Sequence, residues 1–167
     1  MKFRFRRLVK QHQDRLYSLA LHMLGNSAEA EDVVQDTMIK LWHQLPNLDS
    51  ERIRPWLLRV TRNASVDLIR RRQYQTAYAV AAGAEGQAVV TSTPVEALEN
   101  ADLNERLSVA ISELNEPFQS LIVLREIQGH SYQEIGEVLE LSAQQVKVYL
   151  HRARRKLRDS LGNLNHE

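Results

Sequence analysis

Residues 131–158 constrain the fold of this chain more than any other stretch, because they carry two helix-start signals in close succession. Ser131 is followed three positions later by Glu134, and Ser142 is followed three positions later by Gln145. In this spacing, a hydroxyl and a longer polar side chain satisfy the free N–H groups at the start of a helix. Apolar residues then recur at intervals of three and four after each start. The segment therefore predicts two short helices joined by a tight turn.

The second of these helices is strongly basic. Between Ser142 and Arg158 there are no acidic residues. Gly136, in the first helix, is small at a point where two crossing helices must approach closely. A basic helix after a tight turn is typical of proteins that insert a helix into the DNA major groove. Basic residues also complement the negative end of the helix dipole, but this alternative does not explain two capping boxes around a turn, so we favour DNA binding.

Positive charge is concentrated in particular segments of the chain, although the whole chain is nearly neutral. The formal net charge is only +1 over 167 residues, yet basic residues are concentrated in two blocks, one from Arg52 to Arg72 and the other from Lys147 to Arg158. No Lys or Arg lies between Gln73 and Glu105. The chain has no cysteine, which excludes disulfides and thiolate metal sites. Because no apolar run is long enough to span a bilayer or to form a signal peptide, we expect a cytoplasmic protein without membrane insertion.

The distribution of periodic segments predicts an all-α fold of two small helical domains joined by a flexible linker. We place the first domain at residues 1–75, the linker at 76–94 and the second domain at 95–164. The linker is rich in small and polar residues and includes two glycines and a proline. A poorly amphipathic helix around Ala77 to Ala84 remains an alternative within it.

The first domain contains a further helix start and two prolines. Asn26 followed by Glu29 predicts the beginning of a helix with a broad apolar face. Pro46 and Pro55 are expected to interrupt helicity, and another amphipathic helix is predicted from Pro55 onwards. On each helix the polar residues fall opposite the apolar stripe, so we expect them to face outward.

These residues also carry a resemblance to a known family. The run AEDVVQDTMIKLW, followed by RPWLLRVTRNASVDLIRRR, resembles region 2 of bacterial RNA polymerase sigma factors, in particular the extracytoplasmic-function (ECF) group of the sigma-70 family. The run FQSLIVLREIQGHSYQEIGEVLELSAQQVKVYLHRARRKL resembles their region 4. The two resemblances cover most of the chain outside the linker, in the expected order and without a region 3 between them. They imply a factor that binds core RNA polymerase and directs promoter-specific transcription initiation.

The resemblance assigns roles to the outward faces of the helices. It implies that the first domain docks on the β′ clamp helices of core polymerase and that the polymerase β flap is a further contact. The loop from Leu45 to Arg54 would take a flipped base of the non-template strand. The residues implied in core binding are Asp32, Gln35 and Asp36. Those implied at the −10 element of promoter DNA are Arg59, Arg62, Asn63, Asp67, Arg70, Arg71 and Arg72. Those implied at the −35 element are Ser142, Gln144, Lys147, Val148, His151, Arg152 and Arg155.

Several positions depart from the common family pattern. Gln145, Val148 and Tyr149 stand where Thr, Ser and Arg are frequent. The loop before Arg54 lacks the Phe-x-Gly that many members have. A promoter sequence is therefore not carried over from the family. The resemblance does imply one more partner, an anti-sigma factor that masks both domains.

Other functions fit the sequence less well. Glu29, Asp32 and Asp36 have the helical spacing of a divalent metal cluster, but no second element offers matching acids, and the six histidines are scattered. We therefore expect no catalytic residues, no metal, no cofactor and no enzymatic activity. The main alternative is a stand-alone helix-turn-helix regulator that binds DNA unaided. Such a protein would have no need for the second basic block at Arg52 to Arg72.

Overall fold

The computed structural model describes residues 1–83 and 101–164, and these residues form helices without strands. The predicted all-α fold is thereby confirmed. Residues 84–94 of the predicted linker, and residues 95–100 of the predicted second domain, lie outside the described part. The α-helices are α1 (Lys2–Leu24), α2 (Ser27–Gln44), α3 (Ser50–Ala81), α4 (Ala101–Ser112), α5 (Phe118–Ile122), α6 (Tyr132–Leu139) and α7 (Ala143–Leu164), with a 3-10 turn at Leu45–Asn47 and a π-helical turn at Val123–Ile127.

Helices α1 to α3 form the first lobe. Gly25 ends α1 in the left-handed conformation (φ 66°), and Asn26 begins α2, where its side-chain oxygen accepts a hydrogen bond of 3.0 Å from the Glu29 backbone N–H. The helix start predicted from Asn26 and Glu29 is therefore confirmed. Fully buried leucines from all three helices fill the centre of the lobe: Leu16, Leu19, Leu41 and Leu57. Burial of such side chains contributes about 1.5–3 kcal/mol each.

Helix α3 differs from the prediction at both ends. It begins at Ser50 and contains Pro55 in its second turn, so Pro55 does not interrupt helicity. A proline here removes one intrahelical hydrogen bond, and the carbonyl left without it belongs to Glu51, which is exposed and can be solvated. At its other end α3 continues through Ala81, six residues into the segment predicted as linker. Neither glycine nor proline occurs in these last turns, and the alanines among them favour helix.

Helices α4 to α7 form the second lobe, which contains the predicted helix-turn-helix. Ser131 caps α6 by accepting a 3.1 Å hydrogen bond from the Glu134 N–H. Ser142 and Gln145 form the reciprocal capping box at the start of α7, with bonds of 3.1 and 2.9 Å. A Cβ atom on Gly136 would lie 2.5 Å from the Leu141 carbonyl oxygen, so this position in α6 has room only for glycine.

The two lobes pack against each other, with α1 and α3 of the first facing α4, α6 and the π-helical turn of the second. Buried apolar side chains form one cluster that extends through both lobes. Polar contacts also join them, since the Gln119 amide donates to the Met23 carbonyl at 3.2 Å and the Gln128 amide donates to the Arg15 carbonyl at 2.8 Å. We call this packing the closed arrangement.

Candidate nucleic-acid interface

Helix α7 presents an uninterrupted polar face to solvent. Its opposite side is anchored in the second lobe by Val146, Leu150 and Ala153, which are fully buried. Every residue predicted for the −35 element is exposed on or beside this helix: Ser142, Gln144, Lys147, Val148, His151, Arg152 and Arg155. Five of them, with Tyr132 of α6, line a shallow open concavity. The apolar stripe alone could not reveal that Tyr132 borders this face, because its position depends on how α6 crosses α7.

Two further basic side chains of α7, Arg154 and Lys156, contact their own lobe. Arg154 forms an ion pair with Glu126, and the hydrogen bond to Glu126 raises the pKa of Arg154 above its ordinary value. The Lys156 ammonium lies 5.4 Å from the centre of the Phe118 ring. These two residues therefore flank the exposed face and help to hold α7 in place.

The residues predicted for the −10 element are divided by the structure into three groups. Asn63, Asp67, Arg70 and Arg71 are exposed along one side of α3. Arg59 and Arg62 lie instead at the contact between the lobes. Arg72 turns back into the first lobe, where it pairs with Glu29 and donates a 2.9 Å hydrogen bond to the Leu24 carbonyl. Partial burial lowers the pKa of Arg72 from its ordinary value.

Arg62 makes the most enclosed ion pair between the lobes. Its guanidinium donates to Glu116 at 2.8 Å and to the Ser120 hydroxyl at 3.0 Å. The side chains of Arg62 and Glu116 are only 19% and 18% exposed, so water screens this pair less than a surface pair. Because Glu116 also accepts a 2.6 Å hydrogen bond from Ser120, its carboxylate is held in position by its own lobe.

Two further arginines of α3 contact carboxylates of the second lobe. Arg59 lies 3.5 Å from Glu140 and also donates to the Glu137 carbonyl. Arg54 lies 3.5 Å from Glu134. Together with Arg62, these arginines form a basic strip on α3 whose partners are three glutamates of the second lobe. We call these three pairs the interlobe ion pairs.

Sequence reasoning missed the acidic partners, although a signal for them exists. From Glu113 to Glu140 the chain has six glutamates, one arginine and no lysine, directly before the basic helix. An acidic segment in a lobe otherwise suited to DNA indicates a second surface that faces positive charge. Helical periodicity placed Arg59 and Arg62 on an outward face correctly, but it cannot distinguish solvent from a neighbouring lobe.

A histidine-containing junction lies at one end of the interlobe contact. His130 is 1% exposed, with Nδ1 2.9 Å from Glu134 and 3.3 Å from Arg54. Burial lowers the pKa of His130, and the charges of Arg54 and Arg15 act in the same direction, while the hydrogen bond to Glu134 opposes them. Burial likewise lowers the pKa of His12 in α1, again with Arg54 and Arg15 contributing. Helices α1 and α3 thus bring positive charge to two histidines whose pKa values are lowered.

The predicted core-binding residues share one exposed side of α2. Asp32, Gln35 and Asp36 are all exposed, and Ile39, one turn further along, is 57% exposed. Ile39 was not among the predicted residues, because it falls between the apolar and polar faces of the helix. Ile39 adds one apolar side chain to this otherwise polar side of α2.

Two negative findings concern the described part of the chain. Residues 1–83 and 101–164 contain no group of three His, Cys, Asp or Glu side chains arranged to hold a metal ion. Within the same ranges, no helix combines the length and apolarity needed to cross a membrane.

Comparison with known families matches both lobes. Residues 8–74 match the family described as Sigma-70 region 2, and residues 104–157 match Sigma-70, region 4. The ECF RNA polymerase sigma factor SigW of Bacillus subtilis is 32% identical over 168 residues, covering 96% of this chain and 90% of that protein. The ECF sigma factor SigE of Mycolicibacterium smegmatis is 33% identical over 160 residues, covering 96% of this chain but only 62% of the relative's length.

Solved structures give the same result for the fold. CnrH, solved in complex with the cytosolic domain of CnrY, superposes with a TM-score of 0.73 at 29% identity and covers 98% of this chain and 90% of that one. The factor RpoE of Bartonella quintana, solved with the anti-sigma factor NepR, has a TM-score of 0.72 at 22% identity, covering 95% and 96% of the two chains. The second similarity concerns the fold alone.

Proposed function

This chain belongs to the ECF group of the sigma-70 family of RNA polymerase sigma factors, which direct transcription initiation, and we propose that its two lobes divide promoter recognition between α3 and α7. The observation that carries this proposal is the pair of basic helix faces on separate lobes, each anchored by a buried apolar stripe on its other side. A stand-alone regulator would need only the face on α7.

The α2 surface is the proposed docking site for core polymerase. Asp32, Gln35 and Asp36 supply polar and acidic groups, and Ile39 supplies an apolar contact at the end of the same exposed face. This composition fits a protein surface that is polar at its rim and carries an apolar anchor. The surface also lies away from the interlobe ion pairs, so core polymerase can reach it while the lobes are packed together.

At the −35 element, α7 would enter the major groove with the exposed face that begins at Gln144. Gln144 is suited to pair with adenine, Val148 to contact a thymine methyl group, and Arg152 to bind guanine or phosphate. Arg155, two turns beyond Val148, would contact the backbone. Because none of these side chains contributes to the interlobe ion pairs, this surface is available in the closed arrangement.

At the −10 element, the proposed surface on α3 is only partly available. Asn63, Asp67, Arg70 and Arg71 are exposed, whereas Arg59 and Arg62 are engaged with carboxylates of the second lobe. DNA phosphates and these carboxylates are competing anions for the same guanidinium groups. We therefore infer that the lobes separate before α3 contacts the promoter fully. Arg72 would serve to hold α3 on the first lobe rather than to bind DNA.

The proposal extends to the partners and to the chemistry. CnrH and the Bartonella quintana RpoE were both solved with partner proteins, and the second of those partners is named an anti-sigma factor. By analogy, we propose that an anti-sigma protein binds this chain as well. Promoter melting would be driven by binding energy, and nucleotidyl transfer would be performed by the polymerase, so this protein would need no catalytic activity of its own. We propose that it acts in the cytoplasm, together with RNA polymerase.

Run-off transcription with sigma-free core polymerase tests the proposed function. The purified protein, core polymerase and sheared DNA from the source genome are incubated together, with controls lacking either protein. Discrete transcripts that need both proteins are expected. Specific, tight binding to duplex DNA by this protein alone, without transcripts, would instead support a stand-alone regulator.

Two double substitutions then separate the roles of the proposed surfaces. Replacing Asp32 and Asp36 with alanine should weaken core binding, measured by anisotropy with labelled protein. Replacing Arg70 and Arg71 with alanine should impair promoter opening, measured by permanganate reactivity, and leave core binding intact. An exchange of these two effects would contradict the assignment.

A further inference from the structure

The exposed side of α3 continues beyond the residues assigned to the −10 element. Asn63, Asp67, Arg70, Tyr74 and Tyr78 follow one another at intervals of four, three, four and four residues, which places them on one face of the helix. All five are exposed, and the two tyrosines are among the most exposed large side chains of the described residues, at 76% and 70%. The match to Sigma-70 region 2 ends at residue 74, so Tyr78 lies beyond it.

These tyrosines do not serve the packing of the protein. The last turns of α3 project past the first lobe, and the buried residues of α3 end at Val66. The tyrosines nevertheless belong to a helix segment with a clear electrostatic character. From Leu68 to Gly83 there are three arginines and no acidic residue. A tyrosine beside exposed arginines offers a hydroxyl donor in a positive field, a combination suited to an anionic partner.

The direction of α3 indicates which part of the promoter lies beside the tyrosines. The segment from Leu45 to Arg54, proposed to hold the flipped base, is not a loop throughout, as predicted, but comprises the 3-10 turn and the first residues of α3. Later turns of α3 therefore lead away from the melted strand. At a rise of about 1.5 Å per residue, Tyr78 lies roughly 12 Å beyond Arg70. This corresponds to about three to four base pairs of B-DNA at roughly 3.4 Å each. The tyrosines would therefore face duplex DNA upstream of the −10 element.

We propose that the Tyr74 and Tyr78 hydroxyls donate hydrogen bonds to phosphates of the duplex directly upstream of the −10 element, extending the DNA-binding face of α3 by two turns. This inference rests on the proposed function, since it requires α3 to lie on promoter DNA. Tyrosine hydroxyls are common donors to DNA phosphates, and such contacts fix the register of a protein on the duplex without reading its sequence. The tyrosines thus position α3, while Asn63 and Asp67 lie nearer the bases.

Phenylalanine substitutions provide the test, because they remove the hydroxyls and keep the rings. Holoenzymes are assembled from wild-type protein, from the Tyr74→Phe/Tyr78→Phe variant and from Val80→Ala as a matched control. Val80 is 63% exposed near the same end of α3, and its position two residues from Tyr78 puts it on nearly the opposite side of the helix. Promoter affinity is measured by anisotropy, and phosphate contacts are measured by ethylation interference.

Loss of the hydroxyls is expected to weaken promoter binding about tenfold, which corresponds to about 1.4 kcal/mol, because water replaces part of what each hydrogen bond to a charged phosphate contributes. Tyr74 and Tyr78 lie about 6 and 12 Å beyond Arg70, so interference should disappear only at the phosphates about two to four base pairs upstream of those contacted through Arg70. Val80→Ala should bind like wild type. Unchanged affinity and an unchanged interference pattern in the phenylalanine variant would overturn the proposal, as would weakened binding to core polymerase in the absence of DNA. If the wild-type protein itself gives no promoter complex, the proposed function fails instead.

Discussion

The two helices proposed to contact promoter DNA differ in what covers them. The polar face of α7 is exposed along its whole length, whereas three arginines on α3 are paired with glutamates of the other lobe. The second lobe thus keeps its proposed DNA-binding face exposed and uses its acidic residues to cover part of the first lobe. Exposure of a basic helix in an isolated domain therefore does not establish its exposure in the whole chain.

In the proposed function, this difference would order the steps of promoter binding. Helix α7 would contact the −35 element without rearrangement, whereas α3 would gain its full basic surface only after the interlobe ion pairs break. Docking of core polymerase on α2 would leave these pairs intact, so the energy for separating the lobes would come from further contacts with polymerase or DNA. Four measurements test this difference between α7 and α3, and they follow in order of decreasing expected effect.

The first concerns the open face. Lys147→Ala combined with Arg152→Ala should lower the promoter affinity of the holoenzyme about 100-fold, since specific base or phosphate contacts by such residues contribute about 1–3 kcal/mol each. Affinity is measured by anisotropy at fixed salt. Lys156→Ala, which removes an ammonium that faces Phe118, should have a much smaller effect. Equal effects from both variants would show that α7 contributes only general positive charge.

The second measurement concerns the side of α3 that is covered by the second lobe. Glu116→Gln keeps the shape of the side chain but removes the charge that pairs with Arg62, and both side chains are mostly buried. Breaking a pair of this kind costs about 1–3 kcal/mol, so the ratio of open to closed lobes should rise about tenfold. Because the chain has no cysteine, dyes placed through Lys40→Cys and Arg158→Cys report the opening by single-molecule energy transfer.

A control and a second readout accompany this variant. Glu113→Gln removes a charge at an exposed position one turn before Glu116 and should leave the distribution unchanged. Opening should also increase the binding of free protein to single-stranded DNA with the −10 sequence found by run-off transcription. A closed population identical to wild type in the Glu116→Gln variant would refute the role of this pair.

The third concerns pH. Burial and the charges of Arg54 and Arg15 from the other lobe lower the pKa of His130 in the closed protein, so the open state binds a proton there more readily, starting below about pH 6.5, the ordinary histidine value. The contribution of His130 to closure is therefore complete above that pH and is lost as pH falls. Glu134 acts in the same direction at lower pH, because its pKa is also lowered, chiefly by the hydrogen bond from His130. Energy transfer between pH 8 and 5.5 should report a several-fold shift toward open lobes. The shift should flatten in the His130→Gln variant, and closure on acidification would contradict the prediction.

The fourth and smallest effect concerns Glu140. Its side chain is 75% exposed and its partner Arg59 is 39% exposed, so solvent screens the pair strongly. Pairs of this type contribute about 0–1 kcal/mol. Glu140→Gln should therefore change the open fraction less than about twofold in the same energy-transfer measurement. A shift as large as that of Glu116→Gln would mean that the burial of an interlobe ion pair does not determine how much it stabilises the closed arrangement.

The limits of sequence reasoning follow from the range of each interaction. The helix-turn-helix was predictable because its capping boxes at Ser131 and Ser142 and the close approach at Gly136 are local. The sequence could not predict which −10 residues are exposed and which are paired with the second lobe. Arg62 and Glu116 are distant in the chain, and helical periodicity carries no information on pairing between lobes. Pro55 was misjudged for a related reason: packing of α3 on the first lobe outweighs the one hydrogen bond that proline removes. The roles of individual residues at the promoter stay predictions.

Glu140 performs two tasks whose requirements conflict. It ends α6 in the left-handed conformation, with φ 57°, where glycine or asparagine would be more comfortable. The same residue supplies the carboxylate beside Arg59. A glycine here would ease the turn of the helix-turn-helix and remove an anion from the surface of α3. Selection for a more stable second lobe would therefore favour glycine at this position, whereas selection for weaker DNA binding by the free protein would favour glutamate.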